Sequence, residues 1–143
     1  MSEKEFGAKR EELPNVFTFI ENELKKLTSD SKIINQFHLI AEEIFVNIVD
    51  YAYKFKEPGT CKIKIDYEKD LQEVRLIFED NGMEFNPLEK EEPDTSLSAD
   101  ERPIGGLGIM LVKKNIDNIE YKYENKKNIL ILIKKMKGFN YEG

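Results

Sequence analysis

Apolar positions recur along this chain with two periods, and the switches between them divide it into elements. Leu13, Phe17, Ile20, Leu24 and Leu27 fall three or four apart with Pro14 in the first turn, which predicts an amphipathic helix over 14–27. Thr28, Ser29, Asp30 and Ser31 close it and offer a cap to a second helix over about 32–53. The apolar stripe of that helix is Ile33, Phe37, Ile40, Ile44 and Ile48, and Glu57, Pro58 and Gly59 break the period. Cys61, Ile63, Ile65 and Tyr67 then alternate with Lys62, Lys64 and Asp66, and Val74, Leu76 and Phe78 alternate with Arg75 and Glu79. Alternation of this kind predicts an antiparallel hairpin with one wet face. A third helix follows from about Gly106 to Asp117. Ile119, Tyr121 and Tyr123, a polar turn from Glu124 to Lys127, and the run Ile129 to Ile133 predict a last hairpin whose final strand is central. Residues 4–12 carry only the alternation of Phe6 and Ala8 and read as an edge strand. The sum is an α+β fold, a two-layer sandwich in which helices cover one face of a mostly antiparallel sheet.

The chain of 143 residues reads as one domain, 1–143, large enough to bury a core without disulfides or a structural metal. Its single cysteine, Cys61, excludes an internal disulfide and a cysteine-built zinc site. Acidic residues number 28 against 22 basic ones, a formal charge of −6, which argues against a general nucleic-acid or anionic-membrane surface. With no apolar run of membrane-spanning length and no signal-peptide core at the start, the expected location is the cytoplasm.

Three stretches carry candidate chemistry. Glu43, Asn47 and Tyr51 stand four apart on the second helix, on one face beside the apolar stripe; a solvated rim is the plain alternative. Glu42 projects about 100° away from Glu43 and reads as solvated. Asp80, Asn81 and Gly82 end the second strand of the first hairpin, and alone they read as a turn. Gly105, Gly106 and Gly108 put three glycines within four residues at the start of the third helix. Unpaired N–H groups and the positive end of the helix dipole suit phosphate oxygens there, and tight packing is the alternative. Between the last two lies an acidic, apolar-poor segment, 88–101, of the length of a lid or binding loop.

In that order, AEEIFVNIVDYAY, FEDNGMEFNP and GGLGIMLVKKNIDNIEY resemble the N-box and two glycine boxes of the GHKL ATPases, the histidine kinase-like ATPase fold. The nearer likeness is to the stand-alone serine/threonine-protein kinases that act as anti-sigma factors in bacterial partner switching. That resemblance implies ATP and Mg²⁺ as ligands and a lid over about 86–104. It makes Glu43 the catalytic base and Asn47 the metal-holding amide, while Asp80 accepts from the adenine amino group. It places Gly82 close to the base, counts Tyr51 and Phe85 among the nucleotide-binding residues, and puts Gly105, Gly106, Leu107 and Gly108 around the phosphates, with Arg102 and then Lys113 as candidates for further charge compensation. Asn86 and Pro87 stand where the family usually has Asp-Pro, and Ile131 stands where many members carry a base-reading threonine.

The implied activity is transfer of the ATP γ-phosphoryl to a serine of a small antagonist protein of STAS type. The implied partners are a sigma factor or equivalent switch target, that antagonist, and a second copy of the chain, with no nucleic acid or membrane. The alternative is an ATP-dependent binding module of the same fold without transfer. A histidine kinase would need a phosphoacceptor histidine on a separate hairpin, whereas the only histidine, His38, lies within the second helix.

Overall fold

The computed structural model describes residues 1–53, 59–89 and 106–136. Strand β1 (Ser2–Gly7) leads through a 3-10 turn at Arg10–Glu12 into helix α1 (Leu13–Leu24) and then helix α2 (Ser31–Asn47). Strands β2 (Thr60–Glu68) and β3 (Glu73–Asp80), helix α3 (Gly106–Asn115), and strands β4 (Asn118–Glu124) and β5 (Lys127–Lys135) follow. The five strands run in the order β1-β2-β3-β5-β4, and every neighbouring pair is antiparallel. The edge strand read from Phe6 and Ala8 is therefore present, shifted toward the start of the chain, and β5 lies between β3 and β4 as expected.

Alternation decides which face of each strand is buried. Cys61, Ile63 and Ile65 of β2, Val74, Leu76 and Phe78 of β3, and Leu130 and Leu132 of β5 are buried with the helices in one core. On the other face, Ile77, Ile129, Ile131 and Ile133 stay half-exposed beside the Lys64–Glu79 ion pair of 3.1 Å. Helix α1 buries Val16, Ile20 and Leu24 while Leu13, Phe17 and Leu27 are only partly covered, so its stripe is rotated from the one expected. In α2 it is Ile34 that is buried, with Ile33 at the margin, and Phe37, Ile40, Ile44 and Ile48 are buried as read. Asp30 caps α2 by accepting from the Lys32 amide at 2.9 Å.

The second helix is not one α-helix to residue 53. It is α-helical to Asn47 and continues as a π-turn over Ile48–Ala52. A change from four- to five-residue hydrogen bonding over one turn leaves no mark in the apolar spacing. It delivers the Ala52 carbonyl to the Met83 amide at 2.7 Å, tying the end of α2 to the segment after β3. Gly82 makes this approach possible, since a Cβ on it would meet the Ala52 oxygen at 2.5 Å.

The β4–β5 hairpin turns on Asn125 and Lys126, both with positive φ (53° and 62°), between the paired residues Glu124 and Lys127. Two left-handed central residues fit the two-residue hairpin turn that matches strand twist, and there the second position favours glycine. Replacement of Lys126 by glycine, Lys126→Gly, is expected to stabilise the protein by about 0.5–1 kcal/mol. Chemical denaturation checks this, and a lower midpoint in the variant would contradict the strain.

Candidate functional site

Burial of Ile40, Ile44 and Ile48 fixes the rotation of α2 and so the direction of the line beside them. Asn47 is buried, 4% exposed, and its Nδ2 donates to Glu43 Oε1 at 3.0 Å. An amide oxygen, the other end of this side chain, is an atom type that suits a hard cation. Glu42 is exposed, as its position on the helix predicts.

Glu43 faces a groove of about 240 Å³ between α2 and α3, lined also by Arg10, Leu39, Gly108 and Leu111. A Cβ on Gly108 would overlap the Glu43 carboxylate. Bare backbone in the first turn of α3 is thus what lets that helix approach Glu43. Gly106, Leu107 and Gly108 are the first three residues of α3, so their amides belong to the unpaired N-terminal set. Arg102, Gly105 and most of the expected lid, from residue 90 on, lie outside the described residues, as does the side chain of Leu107. Lys113 stands exposed in the last turn of α3.

Asp80 ends β3 with 4% exposure, and its Oδ1 accepts from the Gly82 amide and from Asn128 Nδ2, each at 2.9 Å. Burial raises its pKa above the ordinary carboxylate value, against the pull of the Asn128 and Gly82 hydrogen bonds. The ring of Tyr51 stacks on that of Phe85 with centroids 5.0 Å apart. Phe85, Asp80, Asn47, Tyr121 and Asn128 line a hollow of about 20 Å³, room for about one water molecule. The hollow and the Glu43 groove lie on either side of the Asn47–Glu43 hydrogen bond. Glu43, Asn47, Tyr51, Asp80, Gly82, Phe85 and Gly108 are in this way brought to one end of the sandwich.

Two corrections concern β5 and the chain start. Ile131 does not stand beside Asp80. It pairs with Ile77 on the opposite face of the sheet, because the side-chain period of two sends 128, 130 and 132 inward and 129, 131 and 133 outward. The residue across from Asp80 is Asn128, which sequence reading missed. The strand register alone could have pointed to it. Arg10, also missed, pairs with Asp50 at 2.6 Å beside the groove, a contact across 40 residues that local pattern does not encode.

Residues 6–134 match the family model described as the histidine kinase-like ATPase domain. The chain belongs to that family. The serine/threonine-protein kinase BtrW of Bordetella bronchiseptica is 29% identical over 94 residues, a match covering 66% of this chain and 65% of that protein. This chain therefore spans just under two-thirds of that relative's length. The histidine kinase domain of the blue-light activated histidine kinase EL346 from Erythrobacter litoralis superposes with a TM-score of 0.48 at 13% identity, over 71% of this chain and 43% of that one.

Among the described residues no three His, Cys, Asp or Glu side chains gather as a metal cage. A bound divalent cation would therefore need ligand oxygens besides Asn47.

An acid whose pKa is raised by folding holds its proton more tightly in the folded chain than in the unfolded one. Stability is then lost as pH rises from the ordinary carboxylate range through the raised value, and the loss persists at neutral pH. Asp80→Asn keeps an oxygen for the Gly82 and Asn128 donors and removes the charge. Its thermal midpoint is expected about 2–4 °C above the wild type at pH 7, converging with it below pH about 3.5. A lower midpoint at pH 7 would contradict this.

Proposed function

We propose that this chain is an ATP-dependent protein serine kinase of the anti-sigma factor type, which transfers the γ-phosphoryl of ATP to a serine of a small antagonist protein. The observation that carries the proposal is the hydrogen bond from Asn47 to Glu43 between the hollow at Asp80 and the groove at Gly108. It joins a carboxylate suited to an adenine amino group, an amide suited to a cation and a carboxylate suited to a hydroxyl proton along one path. The serine/threonine-protein kinase relative supports the same reading.

The residues present fit the nucleotide. Gly82 and Gly108 leave close approaches that a Cβ would fill. Asp80 offers an acceptor to the adenine amino group, whereas a guanine carbonyl would meet that carboxylate with no donor. The amides opening α3 offer donors to phosphate oxygens, with the helix dipole behind them. Asn47 Oδ1 would hold Mg²⁺ together with phosphate oxygens; the ion, when bound, supplies charge neutralisation on the phosphates. Glu43 accepts the proton of the attacking serine hydroxyl as its oxygen bonds to the γ-phosphorus and the bond to the β–γ bridging oxygen breaks. Arg102 is a further candidate for phosphate charge. The partners proposed are the phosphoacceptor antagonist, a sigma factor or equivalent target held in alternation with it, and a second copy of this chain, in the cytoplasm.

Glu43→Gln is expected to bind ATP within about threefold of wild type and to lose at least about a hundredfold in transfer of radiolabelled phosphate to the co-encoded antagonist. Undiminished transfer in this variant would remove Glu43 as base. ATP binding by the wild type with no transfer would sink the kinase and leave the ATP-dependent binding module in its place.

A further inference from the structure

We infer that Arg10 is a phosphoryl-contacting residue: its guanidinium, tethered by Asp50 beside the Glu43 groove, binds oxygens of the γ-phosphoryl group. The inference rests on the ATP-dependent kinase reading above and adds a cation to it.

Charge balance in the groove calls for such a group. In the transfer proposed above, the serine oxygen bonds to the γ-phosphorus, the bond to the β–γ bridging oxygen breaks with its electron pair left on ADP, and the serine proton passes to Glu43. Glu43 must therefore take that proton beside an anionic phosphoryl group, and phosphoryl transfer depends chiefly on how well such charge is neutralised. Neighbouring side chains add to the negative charge. Glu42 lines the groove with Glu43, and Asp50 stands beside it. Among the described residues that line the groove, Arg10 is the one cation.

The fold fixes the backbone from which Arg10 extends. Phe6 and Ala8 are buried, and the Ala8 amide donates to the Gly59 carbonyl at 2.8 Å. Two residues on, Arg10 opens the 3-10 turn, which the Glu12 amide closes on the Lys9 carbonyl at 3.0 Å. From there the side chain reaches the end of α2, where Asp50 Oδ2 accepts from Arg10 Nη2 at 2.6 Å. Glu43, Asn47 and Asp50 follow one another at steps of four and three residues, so the tether lies on the side of the helix that carries the base and the amide. A guanidinium presents five N–H donors in a planar fork, and Asp50 engages one nitrogen of it. Among the described residues no other acceptor meets Arg10, whose side chain is 60% exposed. The remaining donors suit phosphate oxygens, which a guanidinium matches with paired parallel bonds. An ion pair between solvated partners adds little to stability, so the larger consequence of Asp50 is to hold that fork in place.

The test isolates the share of binding that the γ-phosphate supplies, by calorimetry of the full chain with Mg²⁺ and either ADP or the uncleavable ATP analogue with a β–γ imido bridge. Arg10→Gln keeps a donor for Asp50 and removes the charge; it should weaken the analogue about fivefold or more and ADP by less than about twofold. Arg10→Lys should restore part of the loss. No residue of the 3-10 turn is buried, so both variants should fold, and circular dichroism reports it. In transfer of radiolabelled phosphate to the co-encoded antagonist, Arg10→Gln should lower kcat at least about tenfold with KM for the antagonist unchanged. Equal weakening of ADP and the analogue overturns the inference, and so does an unchanged ratio of the two affinities, whether or not KM for the antagonist rises. Binding of neither nucleotide by the wild type refutes the ATP reading itself. Binding without transfer removes the kinase and leaves the affinity ratio to decide the contact.

Discussion

A carboxylate buried at the end of an inner strand is tolerated only where donors are waiting for it, and the architecture around Asp80 follows from supplying them. One donor comes from its own loop, and that requires Gly82 to lie against the Ala52 carbonyl with no side chain between. The other comes from β5, and that requires a register in which Asn128 stands across from Asp80. That register begins three residues earlier at the Asn125–Lys126 turn, where backbone strain is accepted. Charge, turn and ladder form one connected constraint. The residual cost shows in the raised pKa of Asp80, a price in stability for an acid kept buried at the end of β3.

Helix α2 serves two environments at once. Its apolar stripe packs on the sheet, and that packing aims Glu43 and Asn47 at the gap between the helices and the end of β3. Neither polar residue can be rotated away without unburying Ile40 or Ile44. The placement of both side chains is thus inherited from hydrophobic packing. The π-turn adds one adjustment: it ends α2 against the segment after β3 and sets Tyr51 on Phe85, whose side chain lines the small hollow at Asp80.

How much of this was legible in the sequence depended on the range of the interaction. Glu43 and Asn47 could be read because four residues along a helix is a local relation, and the alternating strands could be read for the same reason. The α-to-π change after Asn47 could not, since one widened turn leaves the order of apolar residues intact. Asn128 was passed over in favour of Ile131 because the choice depends on register, which a hairpin turn fixes only once its two left-handed residues are known. Arg10 and Asp50 meet only after β1, α1 and α2 have packed. The three boxes announced the family, and the long-range pairs that hold them in place came from the fold.

The central claim is that the hollow at Asp80 and the groove at Glu43 form a single ligand path through the Asn47–Glu43 hydrogen bond. Backbone amide NMR during titration with Mg²⁺ and ATP tests it most directly. The account predicts that Glu43, Asn47, Gly82, Phe85, Gly108 and Asn128 shift together along one binding curve with one Kd. Shifts confined to one recess, two sets with different Kd values, or no shift at millimolar nucleotide would contradict it.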